Sequence, residues 1–174
     1  MFSNTISWIT LILLAITGWV GAQPVGVPSI ADISQSSTTA EVIRVIDGDT
    51  IEVRFPKNQA VTRVRYIGID TPEPYAHSVP DCGSHEATLR NEELVAGAVV
   101  TLVPGTDAYD TYGRLLAYVY VDGVFVNQTL LEEGWARMLM IRPNTDQYAY
   151  FTMLQGTAQK SNLGIWGMCP RISR

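Results

Sequence analysis

Two short stretches of this chain bring together side chains that could handle a phosphodiester. The first is Arg65-Tyr66-Ile67-Gly68-Ile69-Asp70-Thr71-Pro72-Glu73, and the second is Asp110-Thr111-Tyr112-Gly113-Arg114. A guanidinium fork matches two phosphate oxygens, so Arg65 and Arg114 could hold the anion and the charge that builds on phosphorus. Asp70, together with Asp49 of Asp47-Gly48-Asp49-Thr50, offers hard oxygen ligands for Ca²⁺ or Mg²⁺. The Thr71 carbonyl is a third donor and water supplies the rest. Glu73 could orient or deprotonate a water. A cation, a water activator and fixed positive charge are what phosphodiester hydrolysis needs. Each feature also has a purely structural reading. Asp-Gly-Asp is commonly a hairpin turn, Asp70 could simply accept backbone N–H groups, and a strand-edge arginine usually lies on the surface beside a carboxylate.

The elements around these residues suggest how they would be positioned. Residues 41–45 and 51–55 read as strands joined by a tight Asp47-Gly48-Asp49 turn, where Asp and Gly tolerate positive φ. Residues 61–69 alternate again, which sends Arg63, Arg65 and Ile67 to one face and Val64, Tyr66 and Gly68 to the other. Pro72 and Pro74 forbid regular pairing around Glu73, so residues 70–81 form a loop that opens at the strand end. A helix follows over 84–96, with Ser84 as its N-cap. Residues 99–103 form a fourth strand, 105–113 a polar loop, and 115–121 a buried fifth strand closed by Asp122-Gly123. Two helices, over 127–135 and 146–161, complete the order. In the last, Tyr150, Phe151, Leu154 and Ala158 fall at helical spacing. Five strands with a helix after the third and further helices at the end predict a mainly β fold with α, a small barrel of the OB type.

Ahead of this unit lies a segment of different character. Residues 6–20 are almost wholly apolar, and Val20-Gly21-Ala22 puts small residues before Gln23, the layout of a secretory signal over 1–22. The apolar run is shorter than a comfortable membrane span, but it lacks Lys and Arg ahead of it, so an uncleaved membrane anchor is the alternative. Residues 23–40, rich in Ser, Thr, Pro and Gly, read as a flexible linker, and the folded domain is expected over 41–171.

The 174 residues carry 12 Lys+Arg against 17 Asp+Glu, a formal charge of −5, and are 47% hydrophobic. Such a chain can fill a core, which excludes disorder as its main state. The acidic balance argues against a protein that coats nucleic acid by bulk charge. Two cysteines are too few for a disulfide-scaffolded miniprotein or a Cys₄ zinc site.

The sequence of motifs resembles the staphylococcal (thermo)nuclease family. Ile43 through Thr50, Arg65 through Glu73 and Asp110 through Gly123 carry the likeness. Asn127, Leu130, Gly134-Trp135-Ala136 and Asn162-Leu163-Gly164-Ile165-Trp166 continue it, so that it covers about 41 to 167. The resemblance implies a five-stranded OB barrel with three helices and a Ca²⁺-dependent nuclease that cuts DNA and RNA and leaves 3′-phosphates. It implies that Asp49 and Asp70 are calcium carboxylates, that Thr71 gives its carbonyl, and that Asp47 supports the metal site from behind. Glu73 becomes the water-activating carboxylate, Arg65 and Arg114 the phosphate-binding cations, and Tyr112 a neighbour of the nucleotide. The chain departs from the best-known member in having few lysines, Lys57 and Lys160, and in placing Met140 where that member has a base-stacking tyrosine.

An export signal and an even cysteine count predict a Cys82–Cys169 disulfide that ties the C-terminal end to the active-site side. His77 and His85 have no metal-ligand company. Asn127-Gln128-Thr129 fits a glycosylation acceptor, but its place at a helix start reads as a cap. Besides a secreted, monomeric nuclease, two other classes fit parts of the pattern. One is a non-catalytic OB module that binds single-stranded nucleic acid, and the other is a surface calcium-binding or adhesion domain.

Overall fold

The computed structural model describes residues 37–74 and 79–169. The predicted signal segment, most of the linker and His77 lie outside the described residues.

Five strands close into a barrel: β1 (Thr38–Val45), β2 (Thr50–Arg54), β3 (Val61–Tyr66), β5 (Val99–Tyr109) and β6 (Leu115–Val121). They run in the order β3-β2-β1-β5-β6, and a parallel β3–β6 pairing joins the two ends. Closure removes the open edges of a β-sheet, which would otherwise template pairing with other chains. Period-2 alternation sends Val42, Ile51, Val53, Val64, Tyr66, Leu102, Ala117 and Val119 inward, all of them buried. Three helices cap the barrel: α1 (Ser84–Val95), α2 (Val126–Glu132) and α3 (Tyr148–Lys160), with a single turn, α4 (Ile165–Met168), after them. Leu130 and Leu131 of α2 and Phe151 and Leu154 of α3 fill the core from that side. Phe125 stacks on Tyr120 at 4.6 Å between ring centres, and Phe151 packs beside it at 5.8 Å.

The elements differ from the expected ones in informative ways. β1 begins at Thr38, because residues 38–41 pair with 99–102 of β5. β3 ends at Tyr66 rather than at Ile69, since Gly68 has φ of 80° and turns the chain. A two-residue strand β4 (Ile69–Asp70) then pairs with β8 (Arg137–Met138), and β7 (Val124–Phe125) folds back on β6. β5 runs on through Tyr109, so half of the expected 105–113 loop is strand. Asn144 holds that stretch, exchanging hydrogen bonds with the Asp107 backbone N–H and carbonyl at 3.1 Å each. The cap of α1 is Gly83, with φ of 83°, and Ser84 is the first helical residue. Asn127 is no cap. It is fully buried, its Oδ1 accepting the Val119 N–H at 3.0 Å and its Nδ2 donating to the Ile67 carbonyl at 2.8 Å. That burial also excludes it as a glycosylation acceptor in the folded protein.

Candidate active site

The β1–β2 turn, the end of β3 and β4 meet at one end of the barrel. Within the turn, Asp47 Oδ1 accepts the Asp49 N–H at 3.0 Å, and the Asp49 carbonyl accepts the Tyr66 N–H at 2.9 Å. From the helix side, Asn91 donates to the Asp47 carbonyl and accepts the Tyr66 hydroxyl, both at 2.9 Å. The turn is thus pinned to both β3 and α1. Asn91 carries no sequence signal; its place in a helix that packs on the barrel is all that could have suggested it. Gly48 does not adopt a positive φ, contrary to the expectation for this turn. Its reason is space: a Cβ there would lie 2.7–2.9 Å from the Oγ1, Cβ and Cγ2 atoms of Thr71.

The close approach brings Thr71 onto Asp49. Asp49 Oδ2 accepts the Thr71 N–H at 2.7 Å and its hydroxyl at 3.0 Å, while Thr50 donates to Oδ1 at 3.2 Å. Arg65 reaches the same oxygen, Nη1 to Asp49 Oδ2 at 2.7 Å, and also donates to the Ile69 carbonyl at 3.0 Å. Its Nη2 holds Asp70 Oδ1 at 2.8 Å. Asp49 is 1% exposed and Asp70 41% exposed, so the pair grades from the protein interior to solvent. Burial pushes the Asp49 carboxyl up to about 7. Arg65 and the Thr71 N–H oppose the shift, and the negative charges of Asp47 and Asp70 add to it.

Glu73 is half-buried on the loop beyond β4. Its carboxyl is raised above the usual range, first by burial and then by Asp47. Arg65 counters this, Asp70 adds to it and Arg114 counters it. Four charged groups from three different segments therefore act on this one carboxylate. The Glu73 N–H donates to Asp81 Oδ2 at 3.3 Å, and the Asp81 N–H donates to the Glu73 carbonyl at 3.1 Å, which closes the loop at its base. Cys82, the next residue, is bonded to Cys169, 87 residues away, with the Cα atoms 5.8 Å apart. The expected pairing is the one seen, and it ties the end of α4 to the loop that carries Glu73.

Arg114 enters from the β5–β6 connection. Asp110 organises that turn, accepting the Tyr112 and Arg114 N–H groups at 2.9 Å each and Arg114 Nε at 2.7 Å. Burial opposes the charge of Asp110. Hydrogen bonds from the side chain and backbone of Arg114, its attraction and the Tyr112 N–H outweigh burial and hold the carboxyl below the usual range. The terminal nitrogens of Arg114 donate to no described residue. Tyr112 is 85% exposed beside it, with the guanidinium 5.6 Å from its ring centre. His85 is exposed and Met140 lies at the surface, neither in contact with this constellation.

Among the described residues, no three His, Cys, Asp or Glu side chains form a ready metal cage. The donor set still suits a hard cation. It has two carboxylates at Asp49 and Asp70, of which Asp70 Oδ2 accepts no hydrogen bond from a described residue, and the Thr71 carbonyl beside them. Arg65 compensates the same two carboxylates in the structure.

Residues 63–168 match the family described as staphylococcal nuclease homologue. The chain belongs to the staphylococcal nuclease family. It is 37% identical over 129 residues to a thermonuclease of Staphylococcus hyicus, covering 74% of this chain and 75% of that protein. It is 44% identical over 126 residues to the SPbeta prophage-derived endonuclease YokF of Bacillus subtilis and 43% identical over 126 residues to endonuclease YncB of the same organism. Each match covers 71% of this chain. The chain spans only 42% and 59% of the length of those two Bacillus proteins. The barrel with three helices is the architecture expected of this family from the sequence.

Proposed function

We propose that this protein is a Ca²⁺-dependent nuclease that hydrolyses phosphodiester bonds in DNA and RNA and leaves 3′-phosphates. The observation that carries this reading is the cluster at one end of the barrel, where Arg65 bridges Asp49 and Asp70 at 2.7 and 2.8 Å and Glu73 follows on the adjoining loop; the raised Glu73 carboxyl is consistent with it. A binding module has no use for a carboxylate placed among phosphate-holding arginines, because it would repel the ligand. Names of the relatives, thermonuclease and endonuclease, point the same way.

Asp49, Asp70 and the Thr71 carbonyl would hold the cation, which when bound supplies positive charge to the scissile phosphate. Asp47 positions Asp49 through its backbone N–H. Arg114 grips the phosphate with its free terminal nitrogens, while Asp110 fixes its Nε. Arg65 stabilises the charge that develops on the phosphoryl oxygens. Glu73, its proton affinity raised, accepts a proton from the attacking water. The water oxygen bonds to phosphorus, the bond to the 5′ oxygen breaks, and that oxygen leaves with a proton taken from solvent, while Glu73 returns the proton it accepted to solvent. Tyr112 lies along the nucleotide.

The disulfide favours an oxidising compartment, and with the apolar segment at 6–20 it supports export, with membrane contact confined to the signal or its uncleaved form. Among the described residues no helix is long and apolar enough to cross a membrane. Monomeric action on DNA and RNA is the simplest assembly. Digestion of single-stranded DNA by the wild type, Glu73→Ala and Arg114→Ala, each in Ca²⁺ and in EDTA, tests the reading. Chelation should abolish cleavage, and each substitution should lower it by roughly 10²–10³-fold. Cleavage indifferent to EDTA and to both substitutions would sink the mechanism; binding without cleavage by the wild type would identify a module.

A further inference from the structure

Arg63 lies two residues before Arg65 on β3 and has no role in the proposed mechanism, and its setting differs sharply from that of Arg65. Arg65 is 10% exposed and committed to two carboxylates. The Arg63 side chain is 60% exposed, and its one ion pair among the described residues is loose, Nε to Glu52 at 3.8 Å. Glu52 is shared with Arg44 at 3.3 Å, so one carboxylate faces two guanidinium groups.

The barrel seam decides what lies beside Arg63. β3 and β6 pair in parallel with Val64 opposite Leu115 and Arg65 opposite Leu116. One step before the first paired residues, continuing this register brings Arg63 alongside Arg114, which precedes β6. Residues paired in a parallel ladder share a face. Val64 and Leu115 point into the core, so Arg63 and Arg114 both point outward. They line a common groove of about 480 Å³ together with Thr62, Gly113 and the exposed ring of Tyr112. In a chain of formal charge −5 this groove joins two cations and an aromatic face. Stacking surface beside fixed positive charge is what a single nucleic-acid strand recognises.

We infer that Arg63 extends the site along the barrel seam beyond Arg114 and the already placed Tyr112, and that it holds a backbone phosphate next to the scissile one. This inference rests on the proposed nuclease activity and deepens it: Arg63 adds affinity only for a substrate that carries a second phosphate. Arg63 here is a specificity-determining residue, and the chemistry stays with Glu73, Arg65 and Arg114.

Steady-state cleavage of a single-stranded oligodeoxynucleotide and of a mononucleotide p-nitrophenyl diester, by the wild type, Arg63→Ala and Arg63→Lys, tests it. With the oligonucleotide, Arg63→Ala should raise KM roughly three- to tenfold at low salt and leave kcat unchanged. It should also lower the slope of log KM against log salt by about 0.7, the value of one single-strand phosphate contact. Arg63→Lys should recover most of the loss, and the small diester should be cut alike by all three proteins. A parallel measurement follows oligonucleotide binding by fluorescence anisotropy in Ca²⁺ on a Glu73→Gln background, where the strand is not cut. An unchanged KM, salt slope and affinity in Arg63→Ala, with the wild type active on both substrates, overturns the subsite and leaves the nuclease reading standing. A wild type that cuts neither substrate, while Arg63→Ala still weakens binding, overturns the nuclease reading and leaves the subsite standing.

Discussion

Replacing Asn127 by alanine should be among the most damaging single changes outside the candidate site. The side chain is fully buried and bridges two backbone groups of different elements, the Val119 N–H of β6 and the Ile67 carbonyl at the turn after β3. Alanine leaves both without a partner in a region closed to water, since Val119 is fully buried and Ile67 nearly so. A buried donor or acceptor left unpaired costs about 1–3 kcal/mol, so the pair predicts a loss of about 2–6 kcal/mol. Whole domains are stable by only about 5–15 kcal/mol. With a urea dependence of about 2 kcal/mol/M, the unfolding midpoint should fall by about 1–3 M, measured with the disulfide intact and without divalent cations. Asn127→Asp separates shape from hydrogen bonding. Its carboxylate can still accept the Val119 N–H but presents a second oxygen to the Ile67 carbonyl, so at neutral pH it should be at least as unstable. Burial raises the folded-state pKa of such a carboxyl above its unfolded value, so its deficit should shrink as pH falls and the protonated form donates to Ile67. A loss below about 1 kcal/mol for Asn127→Ala, with the native fold retained, would refute the reasoning and show that the bridge is dispensable.

Other outcomes follow from single contacts. Replacing both Cys82 and Cys169 by serine opens a link across 87 residues and should cost about 2–5 kcal/mol in urea unfolding. An unchanged midpoint would show that the bond does not constrain the unfolded chain. Gly48→Ala should cost about 1–3 kcal/mol through overpacking against Thr71, and should raise the Ca²⁺ concentration needed for cleavage. Gly156→Ala, in α3 with open space around it, should instead add up to about 1 kcal/mol and leave cleavage unchanged. Asp110, whose carboxyl is held below the usual range, contributes stability that is complete above its unfolded pKa and lost as pH falls through its lower folded value. The stability gap between wild type and Asp110→Asn should therefore be flat above about pH 5 and narrow below about pH 4. Affinity for single-stranded DNA should be weak in EDTA and stronger in Ca²⁺; tight, salt-resistant binding in EDTA would contradict the role given to the cation.

Barrel strands were legible because alternation is a local property of the chain: Ile51, Val53, Val64 and Tyr66 announce an inward face without reference to anything else. Asp49, Asp70, Glu73, Arg65 and Arg114 could be proposed as one group because their motifs sit at strand ends and turns, where a barrel gathers its loops, and because the family resemblance runs through the same motifs. What could not be read depends on contacts distant in sequence. The end of β3 was not marked by alternation, since Ile67 and Ile69 prolong an extended-looking run on the face of Arg63 and Arg65 while the turn itself sits at Gly68, whose φ of 80° no side-chain pattern announces. Half of β5 looked like a loop because its pairing is irregular between Pro104 and Tyr109 and is steadied by Asn144, far along the chain. Asn127 looks like a helix cap, and Asn91 like an ordinary polar residue in a helix. Their burial is decided by the carbonyl and N–H groups that the barrel leaves at its helical end.

The acidic character of the chain and its proposed polyanionic substrate can be reconciled through Arg65. Its two terminal nitrogens are taken by Asp49 and Asp70, so the guanidinium cannot give those same N–H groups to a phosphate while it neutralises both carboxylates. Arg114 differs, because Asp110 occupies only its Nε and the fork ends donate to no described residue. Without a cation, then, the site presents one arginine committed to Asp49 and Asp70, one available arginine, and the negative charge of Asp47 and Glu73, which no described ion pair offsets. A phosphate approaching such a cluster meets repulsion at short range, where screening by salt is weakest. Positive charge placed on Asp49 and Asp70 from outside the protein relieves both problems together, since it offsets the carboxylates and releases Arg65 from holding them. On this view the negative charge of the site does not oppose nucleic-acid binding in general. It makes binding conditional on a divalent cation, and leaves the outward pair of Arg63 and Arg114 along the barrel seam as the standing positive surface for the strand.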